Sequence, residues 1–344
     1  MRARVTIVDV AQRAGVSISS ASAALNDNPG VSDSTRARVR DAADQLGYVP
    51  SLRGRSLSSR RAFAVGLVVQ RQTDVLESDP FFGALIGGIE SVLADRGYAL
   101  VLHMVERADA ARDRYEQLAA GRRVDGVFLD ELQNDDPRIA QMQRLELPAV
   151  AINPGPDFPL PAVRQHADEA IHDLIARFVA EGHRAIAHVS GAAGFVHTEQ
   201  RISAWRSACA ELGIDEGVLL AGDFTYDGGR AAAEQLLASG ELPTAIFCAN
   251  DLTAVGLMIR LQEAGLSIPG DVAIAGFDGI ALGRYVRPQL TTILSAPREV
   301  GSAAATMLLD IVDRRAVEDI DVAPATLETR ESTGSRTVRP RTGV

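Results

Sequence analysis

TIVDVAQRAGVSISSASAALND, residues 6–27, reads as two short helices around a tight turn. Thr6 can cap the first helix, with Asp9 at its third position reaching back. Ile7, Val10, Ala11 and Ala14 then share one face at helical spacing. Gly15 ends this helix, and Val16 is an apolar plug in the turn. Ser17 caps the second helix, ISSASAAL, which turns Ala21, Ala24 and Leu25 inward and is otherwise small and polar. Asn26-Asp27-Asn28-Pro29-Gly30 is a loop signal. Ser32 caps a third helix from Asp33 to about Leu46, with Val39, Ala42 and Leu46 inward and Gly47 at its end. Two short helices joined by a glycine-containing turn form a helix-turn-helix, whose second helix enters the major groove of DNA. A helical cap on a larger body would give the same local pattern.

Charge separates this head from the rest of the chain. Residues 1–61 hold ten Arg against five Asp, a net of +5, while the whole 344-residue chain carries −10, which leaves −15 on the remainder. A basic end on an acidic body fits a protein whose one end meets phosphate. All 35 basic residues are Arg. A P-loop lysine, a Schiff-base lysine and a Ser–Lys dyad are therefore excluded. No apolar run approaches the ~18 residues of a membrane span. The opening MRARVTIVDV lacks the apolar stretch of a signal peptide, so a cytoplasmic location without a membrane partner is expected. Cys209 and Cys248 form no C-x-x-C pair and sit in apolar stretches, as reduced core thiols do.

Beyond the head, strand-like and helical patterns alternate. FAVGLVV (63–69) precedes a helix near 81–96, then YALVLHM; a helix near 110–120 precedes DGVFLD, and one near 136–145 precedes PAVAIN. Pro154–Pro161 reads as a crossover, after which helices near 167–181, 199–213, 227–240 and 250–265 alternate with RAIAHVS, GVLLAG, TAIFCA and DVAIAGF. This is the βαβ rhythm of parallel sheets covered on both faces. The expected fold is α/β: a three-helix helix-turn-helix head on a body of two lobes with a cleft between them. In such sheets ligands bind beyond the carboxyl ends of the strands.

TIVDVAQRAGVSISSASAALND followed by VSDSTRARVRDAADQLGYVPSLRGRSL (31–57) resembles the head of the LacI/GalR family of bacterial repressors, and the likeness continues to LETRESTG at 327–334. The resemblance implies a helix-turn-helix domain over 1–49, a hinge helix over 50–61, and an effector-binding and dimerisation domain over 62–335. Its N-lobe would comprise about 62–160 and 292–322, its C-lobe about 161–291 and 323–335, with a tail at 336–344. The tail has no leucine heptads that would build a coiled-coil tetramer.

The resemblance also implies roles. Ile18 and Ser19 fall where the family's recognition helix first meets bases, and Ala23 one turn later; Thr6, Ser17, Ser20, Ser22, Asn26 and Tyr48 complete the DNA-facing set by holding phosphates or fixing helix ends. Ile18 can touch a thymine methyl and Ser19 can bond several base edges. PSLRGRSLSSR (50–60) resembles the hinge, where Leu57 matches a leucine that wedges a minor-groove base step, and Arg53, Gly54 and Arg55 lie along the groove. An isolated helix of ~8 residues is marginal in water, so its folding would depend on DNA. Gly54 stands where alanine is usual, which lowers helix stability by about 1 kcal/mol. A plain linker is the alternative reading.

For the effector the matching positions are Phe81, Phe82, His166, Arg201, Phe224, Asn250 and Asp278. Arg201 forks onto paired acceptors, Asp278 accepts from hydroxyls or ring N–H groups, and Phe224 offers a stacking face. Simpler roles stand beside these: Asn250 and Asp251 as a helix cap, Asp278 as a turn residue, Phe82 as core or dimer contact, and Arg201 as a surface partner of Glu199. Asp is common in the family where Asn153 and His166 stand. The implied partners are pseudo-palindromic operator DNA, a second copy of the chain, and a small effector: a sugar first, a nucleoside or nucleobase as the alternative. The implied dimer contacts are the helix near 81–96 and the edge around 98–120.

No G-x-S-x-G, H-E-x-x-H or strand-borne G-x-G-x-x-G occurs, and the six histidines lack metal-ligand spacing. No enzyme, metal or cofactor is expected. Two-lobed solute-binding proteins and α/β enzymes are the competing classes. His183 reads as covering carbonyls at a helix end, and Asp135-Asp136 as a solvated pair in a loop.

Overall fold

The computed structural model describes residues 5–26, 30–48, 59, 61–71 and 75–334. The head comprises α1 (Ile7–Ala14), α2 (Ile18–Leu25) and α3 (Asp33–Leu46). The backbone N–H and hydroxyl of Thr6 both donate to the Asp9 carboxylate at 2.8 Å. Gly15 and Gly47 close their helices in the left-handed conformation, which glycine reaches without a steric penalty. Val10, Ala11, Ala21, Ala24, Val39, Ala42 and Ala43 form one small core, with Leu25, Leu46 and Tyr48 packed against it. Ala43 joins the three α3 positions read as inward.

The body begins with β1 (Ala64–Gln70), α4 (Val75–Ser78), α5 (Pro80–Arg96), β2 (Ala99–Val105), α6 (Ala108–Ala120), β3 (Val127–Leu129), α7 (Pro137–Leu145), β4 (Ala149–Ile152) and β5 (Ala162–Arg164). It continues with α8 (Asp168–Ala180), β6 (Ala185–Val189), α9 (Val196–Glu211), β7 (Asp215–Leu220), α10 (Tyr226–Ser239), β8 (Ala245–Cys248), α11 (Asp251–Glu263) and β9 (Ala273–Asp278). The last elements are α12 (Leu282–Tyr285), β10 (Thr291–Leu294), α13 (Pro297–Val312), β11 (Ile320–Asp321), β12 (Thr326–Glu328) and a 3₁₀ turn at Glu331–Thr333. Two six-stranded sheets result, ordered β11-β5-β4-β3-β1-β2 and β12-β10-β9-β8-β6-β7. The pairings are parallel, as the rhythm predicts, except that β12 runs antiparallel to β10.

Each sheet is buried on both faces. Along β1, Val65, Leu67 and Val69 enter the core under α5 and α13, while Ala64 and Val68 enter the core under α6. This period of two explains why its sequence is continuously apolar. On the second sheet Trp205 and Phe178 fill one face, and Leu257, Met258 and Leu261 the other. α5 and α13 touch backbone to backbone: a Cβ on Gly88 would lie 2.0 Å from the Arg298 carbonyl oxygen. Cys209 and Cys248 are buried free thiols, and burial pushes Cys209 up to about 11.

Two readings of the sequence need correction, and a third is extended. Pro154–Pro161 does not cross between lobes: it joins β4 to β5, which pair in the first sheet. The crossing follows Arg164, four residues beyond the expected boundary at 160. Likewise β10 pairs with β9 in the second sheet, so the return crossing comes after Leu294, not at 292. Short strands such as β5 and β10 carry too few residues to show a clear period. Finally, His183, just past the end of α8, turns its ring into the C-lobe, where Nδ1 lies 2.8 Å from the Thr244 hydroxyl and the ring packs edge-on to Phe178, a role in packing that the sequence did not show.

Gln165 ties the crossings together. Its backbone N–H donates to Asn153 Oδ1 at 2.8 Å, its side-chain oxygen accepts from Ala296 N–H at 2.8 Å, and its Nε2 donates to the Ala323 carbonyl at 3.0 Å. One amide thus fixes three neighbouring connections between the lobes, where a hinge must flex without coming apart. No helix among the described residues is long and apolar enough to cross a membrane.

Candidate functional site

Two sites present themselves, one on the head and one between the lobes. On the head, the Ser17 hydroxyl accepts from Ser20 N–H at 3.1 Å and lies 2.8 Å from the hydroxyls of Ser19 and Ser20. These bonds satisfy an otherwise orphaned N-terminal amide and hold the start of α2. Ile18 at that start is 51% exposed, an unusual state for an isoleucine with a core close by. Ser19 is exposed beside it, and Ser20, Ser22, Ala23 and Asn26 are half-buried. Asn26 Nδ2 donates to the Ser22 carbonyl at 2.9 Å, closing the far end of α2. Thr6 is exposed and Tyr48 half-buried. Arg53, Gly54, Arg55 and Leu57 lie outside the described residues. Arg61, the last residue of the expected hinge segment, pairs with Asp313 at 2.6 Å and donates to the Val312 carbonyl at 2.9 Å, which anchors the start of the body on the end of α13.

The second site is the cleft of about 1040 Å³ between the sheets, at the upper end of the ~300–1,000 Å³ range of small-molecule pockets. All seven positions matched to effector contacts border it. They differ in what they are free to do. Arg201 Nη1 donates to the Ala249 carbonyl at 2.9 Å, Nη2 lies 3.9 Å from Asp278 Oδ1, and the guanidinium sits 4.0 Å over the Phe277 ring. Arg201 is therefore a cleft residue and not a surface partner of Glu199. Burial pushes the Asp278 carboxyl well above its usual range against the pull of Arg201. Its backbone is at φ 103°, a conformation that costs a non-glycine residue on the order of 1–3 kcal/mol.

Asn250 is 2% exposed; its Oδ1 accepts from Thr253 N–H at 3.0 Å and its Nδ2 donates to the Phe224 carbonyl at 2.8 Å. It caps α11 and pins Phe224. Asp251 is not a cap: its carboxylate accepts from Thr292 Oγ1 at 2.7 Å and from Ile280 N–H at 2.8 Å. Phe82 belongs to the N-lobe core at 2% exposed, with Phe81 edge-on to it. His166 is at the rim, its Nε2 3.2 Å from Asp321.

Phe224 is also at positive φ, 70°. Its ring lies against Gly191, where a Cβ would come within 1.8 Å of Cζ. His197 at 5.0 Å, Arg71 at 5.1 Å and Arg201 at 5.6 Å complete the ring's surroundings. Much of the face read as free for stacking is thus already engaged by the protein.

Several cleft residues escaped the sequence reading. Arg71 follows β1, pairs with Glu131 at 2.6 Å in its own lobe, and stacks over Phe195 of the C-lobe at 4.6 Å. Asp130 and Glu131 follow β3. Burial pushes Asp79 and Asp130 above the usual carboxylate range, and Glu131 up to about 7. Burial, with Arg201 and Arg71 nearby, holds His197 well below its ordinary value. Of the Asp135-Asp136 pair, Asp135 is exposed as read, but Asp136 is 5% exposed, caps α7 and binds Arg138 at 2.6 Å. Arg138 in turn donates to the carbonyls of Asp130 and Glu131 at 3.0 and 2.9 Å, and so fixes that loop. The strand-end position of these residues was the available signal; their charges alone looked solvated.

Known proteins agree with this two-part architecture. The model for bacterial regulatory proteins of the lacI family matches residues 6–51, and that for a periplasmic binding protein-like domain matches 175–333. The transcriptional repressor PurR of Vibrio atlanticus is 34% identical over 316 residues, covering 89% of this chain and 91% of PurR. A lac repressor dimer bound to operator and the anti-inducer ONPF superposes with a TM-score of 0.82 at 27% identity, covering 96% of this chain and 99% of the repressor. The regulator CelR in complex with cellobiose superposes with a TM-score of 0.74 at 29% identity, covering 96% and 100%.

Proposed function

This chain belongs to the LacI family of DNA-binding transcriptional regulators, which are not enzymes, and from that premise we propose that it is a cytoplasmic repressor whose operator affinity is set by a small polyhydroxy effector, a sugar, in the inter-lobe cleft. The observation that carries the reading is the coexistence of two separate sites in one chain: an exposed, serine-capped α2 beginning at Ile18, and a large polar cleft at the strand ends. A homodimer would present two heads to a pseudo-palindromic site. Its contacts would use α5 and the edge strand β2, whose outer backbone edge is unpaired among the described residues and whose side chains are mostly half-buried. Effector in the cleft would shift the lobes about the Gln165 crossings, and the N-lobe spacing would then decide whether the hinge segments at 50–60 fold on DNA.

Arg201 and Asp278 make a hydroxyl-reading pair beside the Phe224 ring, which supports a sugar over a nucleobase. CelR, similar in fold, is described with cellobiose. The test is direct. Removing residues 1–60 should abolish operator binding while sugar binding persists in the body. Within the full chain, Leu57→Ala should weaken specific binding far more than non-specific binding; equal losses on both would remove the wedge role.

A further inference from the structure

The N-lobe wall of the cleft holds more buried negative charge than its cations balance. Arg71 pairs with Glu131 at 2.6 Å, and Arg201 is the cation nearest Asp278, at 3.9 Å. Arg138 is committed to Asp136 and to two carbonyls. Asp79 and Asp130 are then left without a pairing cation of their own among the described residues. Asp79 is 9% exposed and spends one oxygen on Phe81 N–H at 3.0 Å. Asp130 is 6% exposed, borders the cleft, and its Oδ2 has no hydrogen-bond partner among the described residues. A buried carboxylate oxygen without a partner is expensive to keep, and native proteins retain such groups where a ligand completes them.

We propose that Asp130, with Asp79 lining the same cleft, takes an ammonium group, so that the effector carries a protonated amine beside its hydroxyls. The assignment rests on the polyol reading of the cleft given above and narrows it to amino sugars and similar basic polyols. An ammonium supplies three donors and one positive charge in a compact group, which suits a buried carboxylate with an unbonded oxygen. The same wall disfavours anionic ligands such as sugar acids and sugar phosphates, whose charge would face Asp79, Asp130 and Glu131 together. The upward displacement of the Asp79 and Asp130 carboxyls by burial agrees with a missing counter-cation.

The experiment is a calorimetric titration of the full chain at pH 7 with paired probes. The pairs are glucosamine, galactosamine and mannosamine, each beside its N-acetyl form and its parent hexose, with 1,5-diaminopentane added. At least one amine is expected to bind about tenfold or more tighter than its acetylated twin, and Asp130→Asn or Asp79→Asn should erase that difference. Two substitutions keep the test alive if one variant fails to fold. A panel in which sugars bind but no amine out-binds its twin overturns the subsite, as do a preference that survives both substitutions and a panel in which neither sugars nor the diamine bind. Neutral sugars binding in the first case would leave the polyol reading standing. The diamine binding through Asp130 with every sugar silent would support the subsite and sink the polyol reading.

Discussion

On the C-lobe wall of the cleft, Arg201 is bonded to the Ala249 carbonyl and Asn250 is spent on a helix cap and on Phe224. On the N-lobe wall, Asp130 keeps an oxygen with no partner among the described residues, and Arg71 reaches across to the C-lobe aromatics Phe195 and Phe224. The two walls occupy equivalent places, the carboxyl ends of parallel strands, yet one is internally satisfied and the other is not. A satisfied wall holds geometry and an unsatisfied one calls for a ligand. The difference suggests that the C-lobe orients the effector and the N-lobe selects its charge.

The largest expected effect tests whether the N-lobe wall is a built structure. Arg138→Ala leaves Asp136 buried without its cation and frees the carbonyls of Asp130 and Glu131. It should lower unfolding free energy by about 3–5 kcal/mol in urea titrations. A loss below about 1 kcal/mol would mean that the acidic loop is solvated after all. Next comes the C-lobe. Asp278→Ala should weaken effector binding on the order of 100-fold, with operator affinity in its absence largely intact; unchanged effector affinity would assign recognition to the N-lobe alone.

The smallest effect is in pH dependence. Glu131 is raised to about 7 in the fold from an ordinary 4.5. The folded state therefore favours its protonated form, and that stabilisation is complete below about pH 4.5 and lost as pH rises through about 7. Relative to Glu131→Gln, the native chain should lose on the order of 2 kcal/mol between pH 4.5 and 8. Parallel stability curves for the two proteins would show that Arg71 already holds Glu131 ionised.

The head and the C-lobe wall were legible in the sequence because their signals are local. Thr6, Ser17, Gly15 and Gly47 act within one helical turn of themselves, and Arg201, Asn250 and Asp278 stand where the resemblance to the family places effector contacts, next to strand ends that the βαβ rhythm marks. The N-lobe wall was not legible. Arg71 follows β1 and Glu131 follows β3, some distance along the chain, and they meet only because the two strands are neighbours in the sheet. Asp136 read as solvated because nothing nearby announces that Arg138 will fold back to bury it. Gly191 could have pointed to Phe224, since the ring needs a residue without a Cβ beneath it, but the pairing is visible only once β6 and the loop after β7 are side by side. The lobe boundaries slipped for a related reason: β5 and β10 have three and four residues, too few for a clear period.

The central claim is that an acidic protein binds DNA through its basic head. Its most direct test is a salt series on a duplex selected by the full chain from a random library, read by fluorescence anisotropy. A pseudo-palindromic duplex should emerge, and log Kd should rise linearly with log salt concentration, as phosphate neutralisation by the head's arginines requires. Failure to enrich any sequence, or an affinity indifferent to salt, would contradict the account.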